Sequence, residues 1–200
     1  GQGTIDGNRL DQSTDKIRSV SIQINPGKDH FKLIKTGTNK KDNLSGDSSI
    51  DQLKGKKSAD QLRGKQGADY LYGNKGKDSL FGGYGADVLQ GGPGADQLHG
   101  KGGKDLLYGD NGKDQATGDA GQDIFILSRG KDVITDFTLG QDSIGLGYAV
   151  DLKAVQKGPH LRIKGSDKIN TLLHNINKDD FLENITNNPS MSPIVEIKLI

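Results

Sequence analysis

Ten aspartates recur at a spacing of nine residues: Asp42, Asp51, Asp60, Asp69, Asp78, Asp87, Asp96, Asp105, Asp114 and Asp123. A glycine stands five residues before each of them, from Gly37 to Gly118. The chain carries 26 acidic side chains, and all are Asp except Glu183 and Glu196. Solvated surface acids would mix the two types. The short arm of Asp suits a carboxylate held close to a turn of its own backbone. Carboxylates together with turn carbonyls offer only hard oxygen donors, the ligand set of a hard cation. Cys is absent, which excludes disulfides, thiolate metal sites and a Cys nucleophile. His30, His99, His160 and His174 are scattered, and His99 falls at an outward position that reads as solvated. No H-E-x-x-H or G-x-S-x-G occurs, so the residues of a zinc protease or a lipase elbow are missing. The glycines at 82–85 and 91–94 lack the strand–loop–helix context of a phosphate loop.

The spacing defines the elements that must carry these groups. From Gly37 to Ile126 the chain reads in nines, as in GNKGKDSLF, GGYGADVLQ and GGPGADQLH. Position one is Gly and position six is Asp in all ten units; position eight is Leu in eight, then Ala116 and Phe125. Position four is Gly from Gly67 onward, but Lys40, Ser49 and Ser58 come first. LSRGKDVIT (127–135) keeps Gly130, Asp132 and Ile134, and Gly140 to Ile144 repeats the fragment one residue late. INPGKDHFK (24–32) is a worn upstream copy. In each unit G-x-x-G-x-D predicts a tight turn, with Gly free to take positive φ. The x-Leu-x that follows predicts a minimal strand with one inward side chain. Two units make one flattened coil, and five coils stacked about 4.8 Å apart give a roll roughly 24 Å long. One leucine per nine residues is a thin core, and aspartates stacked about 5 Å apart repel by roughly 1–3 kcal/mol. A cation between successive turns would remove that repulsion. Six or more oxygen ligands in a flexible geometry favour Ca²⁺ over Mg²⁺.

These units resemble the G-G-x-G-x-D-x-U-x repeats of the RTX, or hemolysin-type calcium-binding, family. The segment DIFILSRGKDVITDFTLGQDSIGL (123–146) is similar to the region that caps the last repeats in that family. The resemblance implies an all-β fold, a right-handed parallel β-roll with flanking capping strands. It also implies several Ca²⁺ ions, each shared by turns n and n+2. One turn would give its Asp and the carbonyls of positions two and four, and the other its Asp and the carbonyls of positions one and three. Asp69 would pair with Asp87, Asp78 with Asp96, Asp87 with Asp105, Asp96 with Asp114, Asp105 with Asp123, and Asp114 with Asp132. The carbonyl positions so implied are Gly64, Gly67, Gly73, Gly76, Gly82, Gly83, Gly85, Gly91, Gly92, Gly94, Gly100, Gly102, Gly103, Gly109, Asn111, Gly112, Gly118, Ala120 and Gly121. Asp136 and Asp142 resemble the acids that close the final site. Lys56, Lys65 and Lys101 occupy position two, where the family prefers a small residue. With Lys40, Ser49 and Ser58 also replacing the position-four Gly, the units of Asp42, Asp51 and Asp60 read as weak or empty sites.

Residues 1–36, with the alternating segments SVSIQIN and HFKLIK, read as N-terminal capping strands. Residues 37–135 read as the β-roll, 136–187 as a C-terminal capping β region with a short helix near Asp179–Ile185, and 188–200 as a tail. The tail ends in the alternating strand IVEIKLI, either a secretion signal or an edge strand. Gly1 to Asp15 is polar and reads as no secretory signal peptide. No stretch approaches the ~18 apolar residues of a membrane span. The net charge of +1 gives no case for nucleic acid or a membrane surface. The resemblance implies an extracellular, secreted module that folds on Ca²⁺ after export by the type I secretion machinery and is not catalytic in itself. The lysines on the repeats, among them Lys54, Lys65, Lys101 and Lys104, read as a solubilising face or as a stripe for an anionic polysaccharide such as alginate. Tyr70, Tyr72, Tyr84 and Tyr108 would add sugar stacking. A third reading is the C-terminal piece of a larger secreted enzyme.

Overall fold

A single leucine per unit organises the molecule. A computed structural model of the chain describes residues 19–24, 31–146, 152–165 and 168–187. The strands begin with β1 (Ser19–Ile24) and β2 (Phe31–Thr36), an antiparallel pair. The repeats follow as β3 (Asn43–Ser45), β4 (Asp51–Lys57), β5 (Gln61–Gln66), β6 (Tyr70–Lys75) and β7 (Ser79–Tyr84). They continue as β8 (Val88–Gln90), β9 (Gln97–Gly103), β10 (Leu106–Tyr108), β11 (Gln115–Gly121) and β12 (Ile124–Leu127). After β13 (Val133–Ile134) and β14 (Ser143–Leu146) come β15 (Leu152–Lys157), β16 (His160–Gly165), β17 (Asn170–Leu173) and α1 (Lys178–Asn187).

Alternate units stack into two sheets. One runs β1-β2-β4-β6-β8-β10-β12-β14 and the other β15-β16-β17-β13-β11-β9-β7-β5-β3. The repeat strands pair in parallel, with Leu53 beside Leu71 and Leu62 beside Leu80. This is the nearly all-β parallel solenoid that the repeat predicts. Every position-eight leucine from Leu44 to Leu107 is fully buried. The two exceptions lie in neighbouring units: Phe125 is buried and the small Ala116 packs at the edge of the same core. The strands run longer than x-Leu-x. β4, for example, continues through Gly55 into Lys57 of the next unit, where Lys56 faces Asn74 and Lys57 faces Lys75. The turns themselves are thus part of the ladder, because each lies flat on the turn one coil away.

The two ends of the leucine column are closed differently. At the first end Lys35 stands in register with Leu53, and its ammonium donates to the Ser45 carbonyl. At the other end Phe125, Phe137 and Phe181 meet in sequence as tilted rings with centroids 6.1 and 6.2 Å apart. Phe181 lies on α1, so the predicted short helix forms and plugs the roll. The strand expected in HLRIKG is β16. The upstream Asp29, the polar N-terminal stretch and the 188–200 tail with its secretion-signal reading lie outside the described residues.

Candidate metal centre

The position-six aspartates form two buried rows, one on each turn edge. The first holds Asp42, Asp60, Asp78, Asp96, Asp114 and Asp132; the second holds Asp51, Asp69, Asp87, Asp105, Asp123 and Asp142. None is more than 8% exposed. Along each row the amide N–H of one Asp donates to Oδ1 of the next, 18 residues on. Examples are Asp69 to Asp87 at 2.7 Å, Asp96 to Asp114 at 2.8 Å and Asp114 to Asp132 at 3.1 Å. All six pairs that the family resemblance implies are joined by such bonds. Asp142 joins the second row 19 residues after Asp123, whose N–H it accepts at 3.0 Å, so the late frame is absorbed. Asp136 stands outside both rows. It accepts the N–H groups of Gly118 and Asp119 at 3.0 and 2.7 Å and occupies a position-one slot.

The second carboxylate oxygen divides each row into interior and end. In the eight interior members, Asp60 through Asp123, Oδ2 is buried and has no hydrogen-bond partner. In the four end members it is closed by position two of the same turn. Thr38 N–H donates to Asp42, Asp47 N–H to Asp51, Ser128 Oγ to Asp132 and Thr138 N–H to Asp142. The backbone explains the split. Position two has positive φ in all eight interior units: Lys56, Lys65, Asn74, Gly83, Gly92, Lys101, Asp110 and Asp119. Thr38, Asp47, Ser128 and Thr138 do not. A positive φ turns the position-two N–H away from the carboxylate; the ordinary φ leaves a donor on it.

Glycine makes room for this arrangement. A Cβ on Gly64 would strike Asp69 Oδ2 and the Gly82 carbonyl oxygen, so both oxygens face the same small space. A Cβ on Gly85, at φ 130°, would strike the Gly67 carbonyl of the turn below. Position-one and position-four glycines therefore line a cradle of carboxylate and carbonyl oxygen with no nitrogen donor at Oδ2. That donor set fits a hard, multiply ligated cation.

Burial without a donor shifts the carboxyls strongly. Desolvation pushes Asp60, Asp69, Asp96 and Asp105 up to about 7, Asp114 to about 8, and Asp87 and Asp132 to about 6. The N–H from the preceding Asp pulls each back, and carboxylates along the row raise several further, as Asp78 does for Asp60. Asp51, Asp78, Asp123 and Asp142 are raised for the same first cause. A row of desolvated acids is costly as a row of charges and calls for positive charge at the unfilled oxygens.

The doubtful early units separate on this geometry. Asp60 is placed like the later members, whereas the Oδ2 atoms of Asp42 and Asp51 are closed by their own turns, Asp51 keeping a buried Oδ1 without a hydrogen-bond partner. Lys56, Lys65 and Lys101 accept the positive φ that Gly would take more easily, at 88°, 91° and 85°. His99 faces outward but lies flat on Phe81, with centroids 5.0 Å apart, instead of standing free in solvent. Burial and the Lys101 charge lower its basicity. His160 and His174, distant in sequence, meet with ring centroids 4.8 Å apart. Sequence reasoning missed the closing donors Thr38, Asp47, Ser128 and Thr138; residue type gives no signal for them, since polar residues, Asp included, also stand at position two of interior units and three of the donors are backbone N–H groups.

The sequence matches the hemolysin-type family described as RTX calcium-binding nonapeptide repeat (4 copies), in overlapping windows at residues 36–71, 45–80, 55–89, 72–107, 81–116 and 99–134. No curated protein matches the chain. It is similar to the solution structure of the AlgE6R3 subunit from the Azotobacter vinelandii mannuronan C5-epimerase. That likeness has 28% identity, covers 49% of this chain and 70% of that one, and has a TM-score of 0.37.

Proposed function

This chain belongs to the RTX calcium-binding nonapeptide repeat family, and we propose that it is a non-catalytic module whose folding is driven by Ca²⁺ after export. The observation that carries this reading is the set of eight buried Oδ2 atoms without a donor, from Asp60 to Asp123. Bound Ca²⁺ would supply the positive charge that these oxygens lack. The chain's own part is to hold the oxygens. The Asp N–H to Oδ1 bonds fix each carboxylate, and positive φ at position two keeps Oδ2 free. The stacked turns bring the position-one carbonyl to the same space. Ligands come from the interior turns between Gly55 and Asp123, and the Oδ2 atoms of the four end carboxylates are closed by protein donors.

Such modules bind in the ~10⁻⁴–10⁻³ M class outside cells, so a low-calcium cytosol would leave the chain unfolded. Secretion through the type I machinery and an extracellular site of action fit that dependence. Among the described residues no helix is long and apolar enough to cross a membrane. The test is bound calcium by equilibrium dialysis. Changing Asp69, Asp87, Asp105 and Asp123 to Asn should remove about half of the bound calcium, because the other row is intact. Unchanged binding would defeat the reading.

A second reading, attachment to an anionic polysaccharide, is favoured by one observation. Alternate units stack, so Lys40, Lys41, Lys56, Lys57, Lys75 and Lys77 all fall on one turn edge. The opposite edge mixes charges, and there Lys101 pairs with Asp119 at 3.1 Å. Retention on immobilised alginate that is lost as salt rises would support it; no retention at low salt would remove it.

A further inference from the structure

The basic edge ends in a cavity of about 800 Å³ at the C-terminal end of the roll. Three groups of residues wall it: 111–113, 129–131, and Lys164, Gly165 and Lys168 to Asn170 from the ends of β16 and β17. Five cations line it, namely Lys113, Arg129, Lys131, Lys164 and Lys168, and no carboxylate does among the described residues. Asp110, next to this wall, accepts from Gln90 Nε2 at 2.6 Å. Asp114 and Asp132 lie buried in their row beneath it. Asp167 lies outside the described residues.

The walls are fixed by backbone bonds. Gly112 N–H donates to the Arg129 carbonyl at 3.1 Å, Gly130 N–H to the Lys168 carbonyl at 3.2 Å, and Lys131 N–H to the Gly112 carbonyl at 3.1 Å. Arg162 Nη1 donates to Asn170 Oδ1 at 2.6 Å, which holds the third wall. Like charges converging on one concave volume repel one another unless an anion lies among them. Lysines that merely aid solubility would spread over a convex surface. The size is that of a small-molecule site. The arrangement is compact rather than linear, so it fits a ligand with several charges close together. A polymer with one carboxylate every ~5 Å, the pitch of the coils, would be matched by the straight edge instead.

We propose that this basin binds a compact, multiply charged tetrahedral oxyanion group, a cluster of sulfates or phosphates. It does so as a site separate from the calcium rows and from the rest of the basic edge. The four lysines supply charge from different directions, and Arg129 adds its guanidinium charge to the same volume.

The probe is sucrose octasulfate, with inorganic sulfate beside it, titrated calorimetrically into the calcium-loaded full chain. Circular dichroism of each variant in calcium checks the roll separately. The expected result is saturable binding of the octasulfate, weakened at least tenfold in the double variant Lys131→Gln/Lys168→Gln. The single variant Lys164→Gln, on another wall, should weaken it less but measurably. Lys65→Gln/Lys104→Gln, on the opposite edge, should stay within twofold. All of these side chains are exposed, so the roll should persist. Absence of saturable binding, or equal losses in the basin and opposite-edge variants, would overturn the proposal.

Discussion

A carboxylate in this roll is defined by what reaches its second oxygen. In the end units an N–H or hydroxyl four residues earlier does so, as Thr38 N–H does for Asp42. In Asp96, in the interior of its row, nothing does. Changing Asp96 to Asn keeps the acceptor for the Asp78 N–H and removes the desolvated charge. The metal-free chain should then gain β structure, while the calcium midpoint rises roughly tenfold, a cost of about 1.4 kcal/mol. Circular dichroism with and without Ca²⁺ reads both; an unchanged midpoint would contradict the role given to Oδ2. Lys65 offers the opposite case. It holds φ 91° without the freedom of Gly. Lys65→Gly should stabilise the calcium-loaded roll by about 1 kcal/mol, measured by urea unfolding. The invariant Gly, Asp and Leu positions were legible in the sequence because every unit obeys the same local rule. Whether Lys at position two spoils a turn was not, since tertiary stacking decides whether a residue bears a positive φ.

At the scale of elements, each strand carries one buried leucine, so the column depends on how its ends are closed. Lys35 and its bond to Ser45 close one end; the Phe125, Phe137 and Phe181 cluster closes the other. Phe181 is 4% exposed and ties α1 to the roll. Phe181→Ala should cost about 3–5 kcal/mol in the presence of calcium, measured by thermal or urea unfolding. A loss below 1 kcal/mol would mean that α1 is an ornament of the fold rather than its plug. The helix and β16 were readable from local pattern. The aromatic cluster was not, because Phe125, Phe137 and Phe181 share no period. The basin of Lys113, Arg129, Lys131, Lys164 and Lys168 was hidden for a similar reason. Two of its walls come from alternate nonapeptides and the third from the ends of β16 and β17, far along the chain.

The whole molecule balances a thin apolar column against two rows of buried acids. Because folding raises these carboxyls from the usual 3.8 to about 6–8, the metal-free fold binds more protons than the unfolded chain. Its stability is therefore highest below about pH 4, falls as pH rises through about 4–8, and is flat above that window. Metal-stripped chain should gain β structure on acidification from pH 8 to about pH 5. Calcium-loaded chain should release its calcium over the same range as protons compete for the carboxylates, while keeping at least the β structure of the metal-free chain at each pH. A metal-free spectrum that ignores pH would contradict the placement of the rows. The most direct measurement is far-UV circular dichroism of metal-stripped chain at neutral pH, titrated with Ca²⁺ and separately with Mg²⁺. A coil-to-β transition with Ca²⁺ and not with Mg²⁺ is the predicted result. A β spectrum already present without metal and unchanged by Ca²⁺ would show that the leucine column and its two plugs suffice, and that the open carboxylates do not govern folding.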